Sequence, residues 1–317
     1  MKEGTGIKNE YLPKTPEEFK KAFKKVRHKA EVPLYCMAVL LTVFIALFLI
    51  ISGIGFKGMG STQLEARFLA GGVEASTASM LAQVLGLIGS GVVIFVIVFF
   101  AGILIYGYYY NYAKVLAYSI KVTPENFPEI YELTQQYAGI LGLKKVPDVY
   151  IEQKNGEINA FASWVIGRNI IQLNAEVVDI AVMENKDMEP VKFILGHEFG
   201  HVYLKHVHIL YKLGCLAWER IPILGSLLKR SREYSCDRIG QLLTGSDVAK
   251  KGMALLTCGR HLYAHVDAED YVQNIVKKRN FAEKISLFIY HIFQSHPINH
   301  YRMDAILDPK KKSGKLF

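Results

Sequence analysis

Cysteine is scarce in this chain. The four cysteines, at 36, 215, 236 and 258, show no C-x-x-C spacing. That pattern argues against a disulfide framework and against a cysteine-based metal cluster. Charge is also thin: 21% of the 317 residues are charged and 51% are hydrophobic. Such a balance excludes intrinsic disorder and low-complexity polymer. Acidic residues are outnumbered 29 to 38, for a net charge of +9. No DNA- or RNA-binding motif accompanies this excess, so nucleic acid is not expected as a partner. No internal repeat is visible.

The missing charge is concentrated in two places. From Val32 to Phe56 there is none, a run bounded by Glu31 and Lys57. About 20 apolar residues cross a bilayer as a helix, and this run has no polar stripe of the kind a core helix keeps. A second uncharged run extends from Ala75 to Ala113 and ends in Tyr106, Tyr108, Tyr109, Tyr110 and Tyr112. Tyrosines favour the headgroup layer. The first run starts too late and is too long for a cleaved signal peptide. Residues 1–31 carry nine lysines and arginines, while the loop between the runs carries Lys57 and Arg67. The basic end is therefore expected in the cytosol, and two spans return the chain to it. The expected organisation is a basic cytosolic segment (1–31), a transmembrane helix (32–56), a short extracytoplasmic loop (57–83), a second transmembrane helix (84–110) and a cytosolic domain (111–317). The protein is expected in the cell membrane as a multi-pass protein, with the bilayer as a partner. The basic tail is solvated or touches anionic lipid, and it is the expected target of any self-cleavage.

In the soluble half, "VTPENFPEIYELTQQYAGILG" reads as a helix, with Thr123 as N-cap, Pro124 in the first turn and Gly142 at the stop. "DVYIE", "NAFASWVI" and "NIIQLNA" follow, separated by Asn155-Gly156 and Gly167-Arg168 turn signals. They predict a small, mostly antiparallel sheet of three strands. From Val177 onward the pattern is helical. The fold class is thus mainly α with a small antiparallel sheet, plus two N-terminal transmembrane helices.

The chemistry concentrates in "VKFILGHEFGHVYLKH", which contains H-E-x-x-H as His197, Glu198 and His201. Positions i and i+4 share a helix face, so both imidazoles reach one metal ion. Glu198 follows the first ligand and reaches a metal-bound water as general base. Two histidines and a glutamate in an apolar helix are costly without a partner, which favours one zinc ion per chain. Three and six residues after His201, where an extended metzincin pattern needs glycine and histidine, stand Leu204 and Val207. His206 and His208 are off-register and read as exposed or interfacial. The remaining solution is a carboxylate from a later helix. "SREYSCDRIGQLL" offers Glu233 to the zinc and Asp237, at i+4, to orient a ligand. Cys236 reads as a small buried residue.

These motifs resemble those of the HtpX-like integral-membrane zinc metalloproteases, a group related to the CAAX prenyl proteases. The resemblance covers roughly residues 120–310. It rests on His197 to His201, on Glu233 to Asp237, on "SHPINHYR" with His296, Pro297 and Arg302, and more softly on "NAFA" at Asn159, Ala160, Phe161 and Ala162. It implies a zincin-like α+β domain with zinc ligands His197, His201 and Glu233 and with Glu198 as catalytic base. It also implies that the Asn159–Ala162 strand binds substrate as an added strand, and that His296 and Arg302 stabilise the site or the oxyanion. On chemistry, His296 suits oxyanion support equally with a helix-start role, and Arg302 suits pairing with Asp237. Proteases of this kind carry a further hydrophobic pair before the glutamate. Here residues 202–232 hold Lys205, Lys212, Glu219 and Arg220. That segment is expected as an apolar helical hairpin on the membrane face, over the cleft or in the core. The function expected is hydrolysis of peptide bonds in membrane or misfolded proteins. The alternatives are prenyl-protein processing and a non-catalytic membrane scaffold around a structural zinc. Oligomeric state is not specified.

Overall fold

The computed structural model describes residues 12–56, 61–89, 91–180, 186–276, 279–308 and 314–317. The chain forms two compact units, Leu40–Ala113 and a unit joining residues 1–39 to 114–317.

Leu40–Ala113 is helical throughout its described secondary structure. It contains most of α2 (Glu31–Phe56), with α3 (Ser61–Ala70), α4 (Ala75–Gly89) and most of α5 (Gly91–Tyr118). One helix among the described residues, Glu31–Leu49, is long and apolar enough to cross a membrane by length and composition. Its apolar side chains are largely uncovered: Leu40 is 69% and Phe48 62% exposed. The second expected span, 84–110, falls on α4 and α5 and includes residue 90, which lies outside the described residues. No second candidate is found among those described.

The other unit begins with α1 (Pro16–Val26). The Thr15 hydroxyl accepts from the Glu18 amide, and Pro16 supplies a preset φ in the first turn. Residues expected in a basic tail therefore fold onto the domain. Phe19 and Phe23 are buried, and both meet the Tyr203 ring edge-on, at 5.4 and 6.1 Å. After α5 come β1 (Ser119–Lys121), α6 (Pro128–Leu141), β2 (Asp148–Glu152), β3 (Ala160–Val165) and β4 (Arg168–Asn174). The α6 helix starts later than the sequence pattern implies. Thr123 closes a local turn by accepting from the Asn126 amide, and Phe127, at φ 62°, breaks the path before Pro128. Gly142 ends the helix in the left-handed region, at φ 63°, as expected.

The sheet corrects the three-strand antiparallel expectation. It has four strands in the order β1-β2-β4-β3, and β2 runs parallel to β4. β1 is three residues long, too short to leave a periodic signal. β4 sits centrally because Ile170, Ile171 and Leu173 are fully buried and need neighbours on both sides. The expected β3–β4 hairpin is present: Ile166 and Gly167 both take positive φ, the requirement of a two-residue turn that matches strand twist. β3 is thereby left at an edge.

After α7 (Ala175–Asp179), the core is completed by α8 (Glu189–Tyr203), α9 (Ile209–Cys215), α10 (Leu224–Thr244), α11 (Ser246–Cys258), α12 (Ala268–Val276), α13 (Phe281–Phe293) and α14 (Asn299–Leu307). The helices α8 and α10 approach closely because small residues meet at their crossing. A Cβ on Gly196 would stand 3.1 Å from the Gly240 Cα, and one on Gly200 would stand 3.0 Å from the Cys236 Cα. The opposing atoms are backbone, which yields little. The expectation is that Gly200→Ala forces the helices apart, at about 1–3 kcal/mol. Chemical denaturation of the solubilised chain measures this, and wild-type stability in that variant would refute the close-approach argument.

Candidate metal centre

α8 is buried along nearly its whole length, from Val191 through Val202. Its apolar side chains lock the backbone, so the 3.6-residue period delivers His197 and His201 to one side. α10, held close by the glycine contacts, supplies the opposing carboxylate. The two oxygens of Glu233 lie 3.3 Å from His197 Nε2 and 3.4 Å from His201 Nε2. Neighbouring ligands on tetrahedral bonds of 2.0–2.1 Å lie about 3.3 Å apart, so these two contacts fit a metal ion held between the three side chains. His197, His201 and Cys236 also offer atoms within 4.8 Å of one another. A sulfur ligand must be a thiolate, however. Burial, reinforced by Glu233 and other nearby carboxylates, pushes the Cys236 thiol well above its ordinary pKa. The Glu233 oxygens, at 3.3 and 3.4 Å from the two imidazoles, make it the better third position on distance.

Asp237, one turn beyond Glu233, accepts from His197 Nδ1 at 2.9 Å. Its carboxylate also accepts from Arg302 Nε at 2.8 Å and Nη2 at 2.6 Å. The pairing suggested by the sequence is thus present, with Arg302 brought in by α14. Burial alone would raise the Asp237 pKa, but Arg302 and then His197 hold it below the usual carboxylate range. Burial opposes charge on His197 too. Hydrogen bonds to Asp237 and Glu233 outweigh it and lift the imidazole to about 10. Glu198 is buried beside the pair, and desolvation raises its pKa.

A cavity of about 450 Å³ opens over these groups, with Asn159, Ala160, Phe161 and Ala162 along one wall. Strand alternation turns the amides of Ala160 and Ala162 away from β4. The Asn159 side chain accepts from the Ala160 amide at 2.9 Å, and Glu198 bonds the Ala162 backbone. The sheet edge therefore lies directly against the metal-facing groups. On the other side, His296 is 67% exposed, with Nε2 3.8 Å from a Glu233 oxygen.

Residues 124–217 match peptidase family M48. The match runs from just before α6 to just after α9, takes in His197, Glu198 and His201, and supports a metallopeptidase of that family. It stops before Glu233. No curated protein and no solved structure matches the chain.

Two residues have a place here that the sequence did not reveal. His206, read as exposed or interfacial, is 4% exposed and touches both His201 and Cys236. Glu31, read as the boundary of the apolar run, is fully buried and bonds His206. Their separation of 175 positions leaves no local pattern to find. His208 accepts from the Leu210 amide at the start of α9 and packs on Trp164. Cys236 is buried, as expected.

The Asp237–Arg302 pair supports the arrangement, and removing one partner leaves a buried charge. Arg302→Met should destabilise the fold by about 3–5 kcal/mol. Adding Asp237→Asn should recover part of that loss. Urea unfolding of the two variants checks this, and additive losses would contradict the pairing.

Proposed function

We propose that the chain is a membrane-anchored, zinc-dependent endopeptidase of the HtpX-like group. Its substrates are segments of membrane or misfolded proteins. The observation that carries this reading is the Glu233 carboxylate, whose two oxygens face His197 and His201 at 3.3 and 3.4 Å in a cleft shared with Glu198 and an open sheet edge.

His197, His201 and Glu233 would hold the zinc. When bound, the ion polarises a carbonyl and acidifies an attacking water to a pKa of about 7. Glu198 takes the proton from that water and passes it to the leaving amine. Its burial serves this role, since a desolvated carboxylate is a stronger base than an exposed one. The Ala160 and Ala162 positions on the outer edge of β3 offer main-chain hydrogen bonds to an extended polypeptide, with the Asn159 side chain giving way at Ala160 and Glu198 at Ala162. His296, on the facing wall, donates to the carbonyl oxygen as charge develops there.

Anchoring is supported by the way α2 begins. Its first turns are built into the catalytic unit: Glu31 bonds Ser235 and His206, and Tyr35 stacks on Tyr211 at 4.3 Å. A leader destined for removal would not carry such contacts. Further along, its apolar side chains are uncovered, which a soluble core helix avoids. Leu210, Leu213 and Leu216, on and just after α9, are exposed near the same helix start and suit contact with the lipid surface.

The test is Glu198→Gln in the detergent-solubilised full chain, assayed on an unfolded polypeptide and on a membrane protein. The expected outcome is zinc content equal to wild type with hydrolysis lowered by about 10²–10⁴-fold. Equal behaviour of the two proteins would support a structural zinc in a scaffold and would end the protease reading. Glu233→Ala should lose roughly one equivalent of zinc per chain.

A further inference from the structure

An imidazole can bind a metal through one nitrogen only if that nitrogen carries no proton, and the other nitrogen decides this. For His197 the matter is settled by Asp237. A carboxylate only accepts, so Nδ1 keeps the hydrogen and Nε2, which faces Glu233, is the nitrogen free to give up its proton to a metal.

His201 has no carboxylate behind it. Its Nδ1 lies 3.2 Å from Nδ1 of His206, so one of these two nitrogens donates and the other accepts. The second nitrogen of His206, Nε2, lies 3.1 Å from Glu31 Oε1. Glu31 is fully buried at the head of the apolar helix. It is ringed by donors: Arg27 Nη2 at 2.5 Å, and the Ser235 hydroxyl. Arg27 supplies the counter-charge that lets the carboxylate stay ionised in this setting. An ionised Glu31 can only accept, so Nε2 of His206 carries the hydrogen. In the neutral ring Nδ1 is then bare and must accept from His201 Nδ1. That leaves Nε2 of His201 bare, and this is the nitrogen 3.4 Å from Glu233.

We propose that Glu31 and His206 are positioning residues, a buried carboxylate–imidazole relay that fixes the tautomer and ring orientation of His201 for zinc. The inference rests on the zinc assignment above. It gives the two histidine ligands different supports: His197 is held from within its own partner helix α10, and His201 from the first residue of the apolar helix α2. The same buried cluster includes the Cys236 sulfur, 3.7 Å from His206 Nδ1.

The test uses the detergent-solubilised full chain and two readouts that do not depend on hydrolysis: zinc affinity by competition with a chromophoric chelator, and the visible spectrum after cobalt substitution. His206→Leu should weaken zinc binding by roughly 10–100-fold and alter the cobalt bands. His206→Gln should recover most of the affinity, because its carbonyl accepts from His201 while its amide donates to Glu31. Glu31→Gln, which keeps the shape and removes the charge, should weaken binding by roughly tenfold, and it decides the matter if His206→Leu does not fold. Wild-type affinity and spectrum in folded His206→Leu or in Glu31→Gln overturn the relay, as does a His206→Gln protein no better than His206→Leu. Glu233→Ala serves as the reference. If it loses zinc while the relay variants keep it, the relay alone fails. If wild type holds no zinc, the relay and the metal reading fail together.

Discussion

The centre depends on how closely two helices can approach. A carboxylate side chain is short, and Glu233 must bring one oxygen to each of two imidazoles on a neighbouring helix. Bulky residues at the crossing would hold the axes near the 8–10 Å usual for packed helices, at its upper end. Gly196 and Gly200 on α8, with Gly240 on α10, remove the Cβ atoms that would intervene. The two glycines precede the two histidines by one residue each. One helical repeat therefore sets both the packing face and the ligand face, and the motif G-H-E-F-G-H specifies a contact as well as a chemistry.

Close packing creates a second demand. α10 is buried over most of its length although it carries arginines, an aspartate and a glutamate. Each buried charge needs a partner, since an unpaired one costs several kcal/mol. The partners come from distant chain. Arg302 on α14 meets Asp237, and Arg230 donates to the carbonyls of His291, Ile292 and Gln294 at the end of α13. Arg232 meets Glu219, and Ser235 meets Glu31. His197, His201 and Glu233 are thus embedded in a polar framework that draws together distant parts of the chain. Preorganisation of this kind holds ligands in place before any ion arrives.

How much of this was readable in the sequence follows from range. His197, Glu198 and His201 obey a helical period within one segment, so their common face was legible. The Glu233–Asp237 spacing was legible too, since i and i+4 on α10 send one carboxylate to the Nε2 atoms of His197 and His201 and the other to His197 Nδ1. The β3–β4 hairpin followed from its turn. What escaped was either non-local or too short or atypical to leave a pattern. The parallel β2–β4 pairing depends on which strand needs two neighbours, a property of burial. β1 is too short to carry a period. The late start of α6 came from Phe127 adopting a left-handed conformation, against its own preference. Glu31 looked like the charged edge of an apolar run because its partner lies far along the chain.

Glu31 stands at the head of the apolar helix α2, within the unit that holds His197 and His201. A glutamate at the head of a membrane helix usually sits in water, where it costs nothing. Here the carboxylate is taken out of water and surrounded by an arginine, a hydroxyl and an imidazole. Burial of a charge with all its partners satisfied is rarely worth more than a well-packed apolar substitute. Stability alone therefore gives little reason for it. A directional acceptor does: only a group that accepts and never donates can dictate which nitrogen of His206 holds the proton. The first turn of the apolar helix thereby touches His206 through a contact whose chemistry bears on His201, and under the reading proposed above a simple tether would need no such contact.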